Sequence, residues 1–502
     1  MTAPGQGPVW LDYIEIAGYR GFSAPARIKL AVPDGATPGS GLTIMVGANG
    51  SGKSTALEVI RFLQKTDSTP QLDANKRNST AQGRVTITYV SSSGKQLVLA
   101  TGSTGGGGLQ WRGLQEWDVH PNSVFTLSAH RQVPSQFAYE KPAPNSRGPY
   151  SYATGQLDFR SSQNFFSQRL IAADANIGDF NAVLERVMKP TPAPGWHVNP
   201  EAGGRAYLRI YGTSAFDAAA GLADGVASLF QIIDALYDSP AGDIIAIDEL
   251  EESLHPTVQH NLLRELANYA SQRQIIYTTH SPLLVDWPRI IAGAGVVRFV
   301  SDPGAIRTGS ISAPTRSALA GILDDINNPH VLGPRASEIL FLDDQIILVE
   351  GQQDVILYPT VFGQLHTSVL GTMFGWGVGG ANKIGAIASL LKDLGYRRVA
   401  AIVDQDKAGT LAKLKDAFPE YFFTAIPAND VRTKTAEPAK REVAGLLDEN
   451  KTIRPEHRVP MMRIVEELNH YFATGAHGIR GVLAFAEVVN PPEVKKDGHE
   501  SP

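Results

Sequence analysis

The sequence predicts an α/β chain built on parallel sheets, and three observations carry that expectation. Residues 244–247 (IIAI) and 275–277 (IIY) are apolar throughout and flank a stretch with helical spacing through Val258, Leu262 and Leu266. Strands buried on both faces read this way, and parallel strands with helical crossovers are buried on both faces. A glycine-rich stretch, GANGSGKST, lies between an apolar run ending at Val46 and a helical pattern through Ala56, Val59, Ile60 and Leu63. A second strand–helix–strand unit occupies 346–403, with Ile384, Ile387, Leu391 and Leu394 on one helical stripe.

The bulk properties bound the rest. At 502 residues the chain has room for about two to four domains with real cores. With 43% hydrophobic and 19% charged residues it is globular in composition, neither fibrous nor disordered. A net charge of −5 argues against a nucleic-acid coat and leaves room for a local basic groove. There are no cysteines, which excludes disulfides, zinc ribbons and thiol nucleophiles. No run approaches a membrane span, and the opening MTAPGQGPVWLDY lacks the basic start and apolar centre of a secretion signal. A cytoplasmic protein without a membrane partner is expected.

Taken in order, residues 13–16, 28–30 and 42–46 read as strands, and 84–89 with 96–100 as a hairpin. Residues 105–108 read as a loose glycine loop. Residues 134–200, rich in Pro, Ser, Gln and Asn around a helical patch near 163–188, read as an insertion suited to dimerisation. Val226, Leu229, Phe230, Ile233 and Leu236 mark a buried helix. Residues 301–316 have linker composition, and the polar, proline-bearing end from about Val488 reads as disordered. The expected division is a first domain over 1–335, a second over 340–450, and an extension over 451–502.

GANGSGKST, from Gly47 to Thr55, fits G-x-x-x-x-G-K-[ST] in the strand-then-helix setting that the motif requires. Gly47, Asn49, Gly50 and Gly52 let backbone N–H groups turn toward phosphates at a helix N-terminus. Lys53 would reach the β/γ-phosphates of ATP, and Ser54, with Thr55 beside it, would hold Mg²⁺. IIAIDE, residues 244–249, delivers two acids from a buried strand. Asp248 would bind Mg²⁺ through water, and Glu249 would polarise the attacking water.

With both motifs placed, the chain resembles an ABC-type ATPase head. His280, in TTHSP (278–282), resembles the switch histidine that touches the γ-phosphate, and EESLHP (251–256) resembles the segment after the Walker B strand in SMC-like and OLD-like heads. Leu222-Ala223-Asp224-Gly225 occupies the place of the signature motif but departs from LSGG, with an acid at Asp224 and Gly225 as the contact to nucleotide. Gln132, after SAHR (128–131), is a candidate Q-loop glutamine. His130 and the remaining histidines show no ligand spacing.

ILVEGQQDV, residues 347–355, would suit a strand capped by a solvated acid if it stood alone. Further on, however, the strand 399–403 runs into Asp404-Gln405-Asp406. In a parallel sheet both strand ends reach one edge, so Glu350, Asp404 and Asp406 are expected to converge. Clustered carboxylates repel and need cations to stay ionised, and all-oxygen donors favour Mg²⁺ or Mn²⁺. Strand-E-G-x-x-D followed by strand-D-x-D resembles a Toprim domain, in which Asp354 would be the next acid and 377–383 (GVGGANK) the glycine loop before the connecting helix.

An ABC-type ATPase head with an inserted helical segment, followed by a Toprim (parallel-sheet, Rossmann-like) domain, resembles the OLD (overcoming lysogenization defect) family of ATP-dependent nucleases. The resemblance covers about 10–300 and 340–450, and the order and fusion of the motifs are its specific part. It implies metal-dependent hydrolysis of DNA phosphodiesters without a tyrosyl intermediate, a homodimer or larger homo-oligomer, a partner protein of unknown identity, and service in bacterial defence against phage. Glu350, Asp404 and Asp406 would be catalytic and, with Asp354, metal-binding. Glu442, Asp448, Glu449 and Lys451 are alternatives for the rest of a second metal position. Asp430, Arg432 and Lys434 read either as lying along a DNA backbone or as an exposed charged loop. The rival function is a non-cleaving DNA-binding ATPase whose Toprim module is structural.

Overall fold

In a computed structural model, the strand Leu42–Gly47 stands inside a six-stranded sheet. The structure describes residues 8–64, 66, 70, 72–81, 84–101, 108–119, 124–131, 137–138, 170–171, 173–174, 177–211, 224–342, 344–436 and 441–477. From edge to edge the strands are Ala305–Ser310, Gly295–Asp302, Leu42–Gly47, Gln274–Thr278, Ile244–Ile247 and Val124–Leu127. All neighbours run parallel except the first pair, an antiparallel hairpin. The all-apolar runs thus lie where both faces are covered. Leu42, Ile44 and Val46 enter one core while Met45 enters the other, the period-two alternation of a central strand.

Helix Lys53–Arg61 follows the glycine loop and buries Ala56, Val59 and Ile60 under a five-stranded antiparallel sheet. That sheet runs Ala26–Lys29, Leu11–Ala17, Thr86–Ser91, Gln96–Thr101 and Leu109–Arg112. Tyr89 Oη donates to Val59 O at 2.7 Å and ties helix to sheet.

Two stretches differ from their compositional reading. In 134–200, the described part includes helix Ile177–Met188 and strand Gly195–Glu201, which pairs with Arg205–Tyr211. Trp196 packs edge-on against Phe180 (5.1 Å) and Phe230 (5.2 Å), so this part belongs to the main core. A few buried aromatics outweigh a polar average. Residues 301–316 are not a linker: the Pro303-Gly304 turn, with Gly304 at φ +87°, closes the edge hairpin, and helix Ala313–Leu323 follows.

The C-terminal module is a four-stranded parallel sheet ordered Thr372–Met373, Gln345–Val349, Arg398–Val403, Phe422–Ala425. Helix Ile384–Asp393 covers one face. The other is covered by helices Gln352–Gln364 and Pro455–Thr474, through Tyr358, Val361, Met461, Val465 and Leu468. A parallel sheet needs both faces covered, so the module extends to this last helix rather than ending near 450. Residues 488–502, expected to be disordered, lie outside the described residues, as do 105–107 of the glycine loop.

The two modules share a core: Ile346, Leu348, Ala401 and Val403 join the same apolar cluster as Leu42 and Ile44. Arg298, beside the P-loop strand, lies 3.7 Å from the Tyr396 ring centroid and donates to Leu342 O (3.2 Å) and Leu394 O (3.4 Å). A Cβ on Gly309 would stand 2.5 Å from Asp393 O, so glycine permits this close approach.

Candidate functional site

The glycine loop sits at the C-terminal edge of the six-stranded sheet. Gly47 (φ +143°), Gly50 (+73°) and Gly52 (+101°) all have left-handed φ, so side chains would be strained at each. A Cβ at Gly47 would also press on Phe299 O at 2.4 Å, and one at Gly52 on Ile306 at 2.7 Å. Asn49 and Ser54 are exposed and Thr55 is buried. Lys53 is buried, donating to Gly47 O (2.8 Å) and Ala48 O (3.0 Å). Burial lowers its pKa, while Asp248, Glu249 and Glu251 act in the opposite sense. The P-loop cation and the acids that follow strand Ile244–Ile247, two strands across the sheet, therefore converge.

Strand Gln274–Thr278 lies between those two partners and supplies the joints. Thr278 Oγ1 donates to Asp248 Oδ1 (2.6 Å) and accepts from the Glu249 N–H (2.7 Å). Glu251 accepts from Thr279 Oγ1 (2.7 Å) and from the His280 N–H (2.5 Å), which fixes the loop that carries His280. Burial, then the Lys53 charge, lowers the His280 pKa and favours neutral imidazole. Gly225 opens the helix Asp224–Asp238, where a Cβ would meet Ser253 O at 2.5 Å. Gln132, Leu222 and Ala223 lie outside the described residues, as does the side chain of Asp224. Arg131, buried and bonded to the Asp248 and Glu249 carbonyls, was missed by sequence reasoning. Its one signal was a charged residue ending the apolar-to-polar stretch after 124–127.

In the C-terminal module, Glu350 and Asp404 end adjacent parallel strands, with the first crossover leaving to the opposite side. This is the topological switch point, where open α/β sheets form clefts. The Asp404 N–H donates to Glu350 Oε1 (3.0 Å), and Asp354 Oδ2 accepts from the Gly351 N–H (2.8 Å). Gly379 and Gly380 both donate to Glu350 O at 2.9 Å, so the glycine loop wraps this strand end. Glu350, Asp354, Asp404 and Asp430 line one cleft of about 520 Å³. Burial, followed by Glu350 and then Asp354, pushes Asp404 up to about 8. Burial also raises Asp354 to about 6.

Asp406 stands apart from the other expected members. It is not in the cleft lining; its Oδ2 accepts from Lys407 Nζ at 2.8 Å, with nearly half of its side chain exposed. Among the described residues no three His, Asp or Glu side chains meet in a geometry ready for a metal ion. Asp448 accepts from the N–H groups of Asn450 and Thr452 and caps its own turn, and Lys451 is in a left-handed conformation at φ +59°. The side chains of Glu442 and Lys434 lie outside the described residues. The cleft has a wall that sequence reasoning did not anticipate: Asn327, Asn328 and His330, from the segment joining the modules. Asp325 anchors that wall, taking bonds from Lys383 and from Asn328 Nδ2. No local pattern marks such a contribution.

Residues 13–109 match the family model described as "AAA domain", and 145–286 match "AAA domain, putative AbiEii toxin, Type IV TA system". The N-terminal part is an ATPase domain of the AAA/ABC type. The glycine loop lies within the first match and Asp248 and Glu249 within the second. No curated protein matches the chain. Among solved structures, the SMC head domain from Thermotoga maritima aligns at TM-score 0.35 and 13% identity, over 61% of this chain and 100% of its own. An SMC head with an extended coiled coil, bound to the C-terminal domain of ScpA derived from Pyrococcus furiosus, aligns at 0.37 and 12% identity, over 64% and 100%. Among the described residues no helix is long and apolar enough to cross a membrane.

Proposed function

We propose that this chain is an ATP-hydrolysing, divalent-cation-dependent DNA endonuclease of the OLD type, with the C-terminal module as its Toprim nuclease. The observation that supports the reading most is the acid cleft at the switch point. Three of its acids, Glu350, Asp354 and Asp404, line it together, and Asp404 is pushed up to about 8 by burial and its acidic neighbours. An all-oxygen donor set of this kind suits Mg²⁺ or Mn²⁺. Glu350, Asp354 and Asp404 would hold the cation, which would stabilise charge on a phosphodiester during hydrolysis. The Glu350–Asp404 hydrogen bond keeps the two strand ends in register, and the glycine loop wraps the first of them. Arg432, which also lines the cleft, would meet a backbone phosphate there. The chain acts as a homodimer or larger on DNA, in the anti-phage role that the resemblance implies.

Purified protein incubated with plasmid and Mg²⁺ or Mn²⁺ tests this. Wild type cleaves; Glu350→Ala and Asp404→Ala do not, yet both keep ATP hydrolysis. Intact plasmid with wild type under both cations sinks the reading. The rival, a non-cleaving DNA-binding ATPase with a structural C-terminal module, draws on Asp406 pairing with Lys407 and on the open arrangement of the acids. It expects DNA retention without cleavage in the same assay.

A further inference from the structure

One guanidinium joins three parts of the ATPase head. Arg131 is 3% exposed. Its Nε donates to Ser228 Oγ at 2.7 Å, on the helix Asp224–Asp238 whose first turn lies in the signature position. Nη1 donates to Ser128 O (2.9 Å), just past strand Val124–Leu127, and to Asp248 O (2.7 Å). Nη2 donates to Glu249 O at 2.8 Å. A planar guanidinium with five N–H donors meets these four acceptors at once, whereas a lysine ammonium has three donors on one nitrogen and can replace them only in part.

The bonded carbonyls belong to the two acids of the ATP site. Glu249 has φ +47°, a left-handed conformation uncommon outside glycine. Such a residue persists where its surroundings over-determine it. Here its N–H is held by Thr278 Oγ1 and its C=O by Arg131, so both peptide groups that orient the carboxylate are fixed. The same helix that carries Ser228 also abuts the loop after these acids, where Gly225 meets Ser253 O.

We propose that Arg131 is a positioning residue for ATP hydrolysis, a buried clamp that aims Glu249 through its backbone and makes that aim depend on the helix Asp224–Asp238. Displacement of that helix reaches the Glu249 carbonyl through a single side chain. The departure from LSGG at Ala223 and Asp224 then matters less, because the helix acts on hydrolysis through Ser228 as well as through its N-terminus.

The test compares Arg131→Ala, Arg131→Lys and Ser228→Ala in the full chain. ATP turnover, ATP affinity and thermal unfolding are measured for each. Misaiming a catalytic group costs about 100-fold, so Arg131→Ala should lose about that much kcat with ATP affinity kept within about threefold. Arg131→Lys should restore part of this loss. Ser228→Ala, which cuts the helix bond alone, should lose about 5–10-fold in kcat with an unchanged Tm. If Arg131→Ala fails to fold, the other two variants carry the test. The clamp is overturned if Ser228→Ala and Arg131→Lys keep wild-type kcat. It is equally overturned if affinity, Tm and kcat fall together in both. Loss of the ATP site itself would show differently, as a Lys53→Ala variant that binds ATP like wild type.

Discussion

Both modules end parallel strands in carboxylates, yet they treat those charges in opposite ways. In the ATPase head the acids are matched by the chain itself. Thr278 serves Asp248, Thr279 and the His280 N–H serve Glu251, and Lys53 and Arg131 stand close by. In the C-terminal cleft, Glu350, Asp354, Asp404 and Asp430 face one another, and Asp404 is pushed up to about 8. A strand ending in acids is therefore not one kind of site. The first is internally compensated. The second carries excess negative potential that protons or divalent cations must relieve.

The largest effect that sharpens this contrast is on nucleotide binding. Lys53→Ala should weaken ATP binding about 100-fold or more, by equilibrium titration, and leave the C-terminal module's unfolding unchanged. Unaltered ATP affinity would break the contrast from the head's side.

The next effect concerns pH without divalent cations. Asp404 has its folded pKa at about 8, above the unfolded value near 3.8, so the folded state holds more protons between those limits. Its stabilising contribution is complete below about pH 4 and is lost as pH rises through about 8. In EDTA, Asp404→Asn should exceed wild type by about 2 kcal/mol at pH 8.5 and by little at pH 4, discounted for an open cleft. Identical pH profiles would show that the cleft is relieved in some other way.

Cation addition comes third. At pH 8, millimolar Mn²⁺ should raise wild-type Tm by a few degrees, on the order of 1 kcal/mol, and do nothing for Glu350→Gln/Asp404→Asn. An equal rise in the double variant would place the cation elsewhere.

The smallest effect lies between the modules. Asp302, at the end of the strand beside the P-loop strand, pairs with Arg307 and with Arg397 (3.0 Å). Arg307, then Arg397, hold its pKa below the ordinary carboxylate value, so this contribution is present at neutral pH and lost as pH falls through the folded pKa. Asp302→Asn should cost about 0.5 kcal/mol at pH 7 and progressively less as pH falls below the ordinary carboxylate range.

Much of this was legible in the chain because the relevant signals are local. All-apolar runs announced the central strands, GANGSGKST announced its own glycine-dependent turn, and 384–394 declared its buried stripe. Residues 301–316 carry linker composition yet hold the turn and second strand of the edge hairpin, because Asp-Pro-Gly is turn chemistry wherever it occurs. The hairpin around Trp196 was hidden by its polar neighbours. The D-x-D pattern at a shared sheet edge groups Asp406 with Glu350 and Asp404, whereas the turn after Asp404 directs it to Lys407.

What the sequence determined by itself was the set of strand ends, the phosphate loop and the acids each end would carry, because backbone period and glycine conformation act over a few residues. What only the tertiary structure decided was who meets whom: Arg131 beneath Asp248 and Glu249, Asp430 and His330 beside Asp404, and Arg298 against Tyr396. Those meetings depend on strand order and on the packing of separate segments around a shared core, which no short stretch of chain encodes.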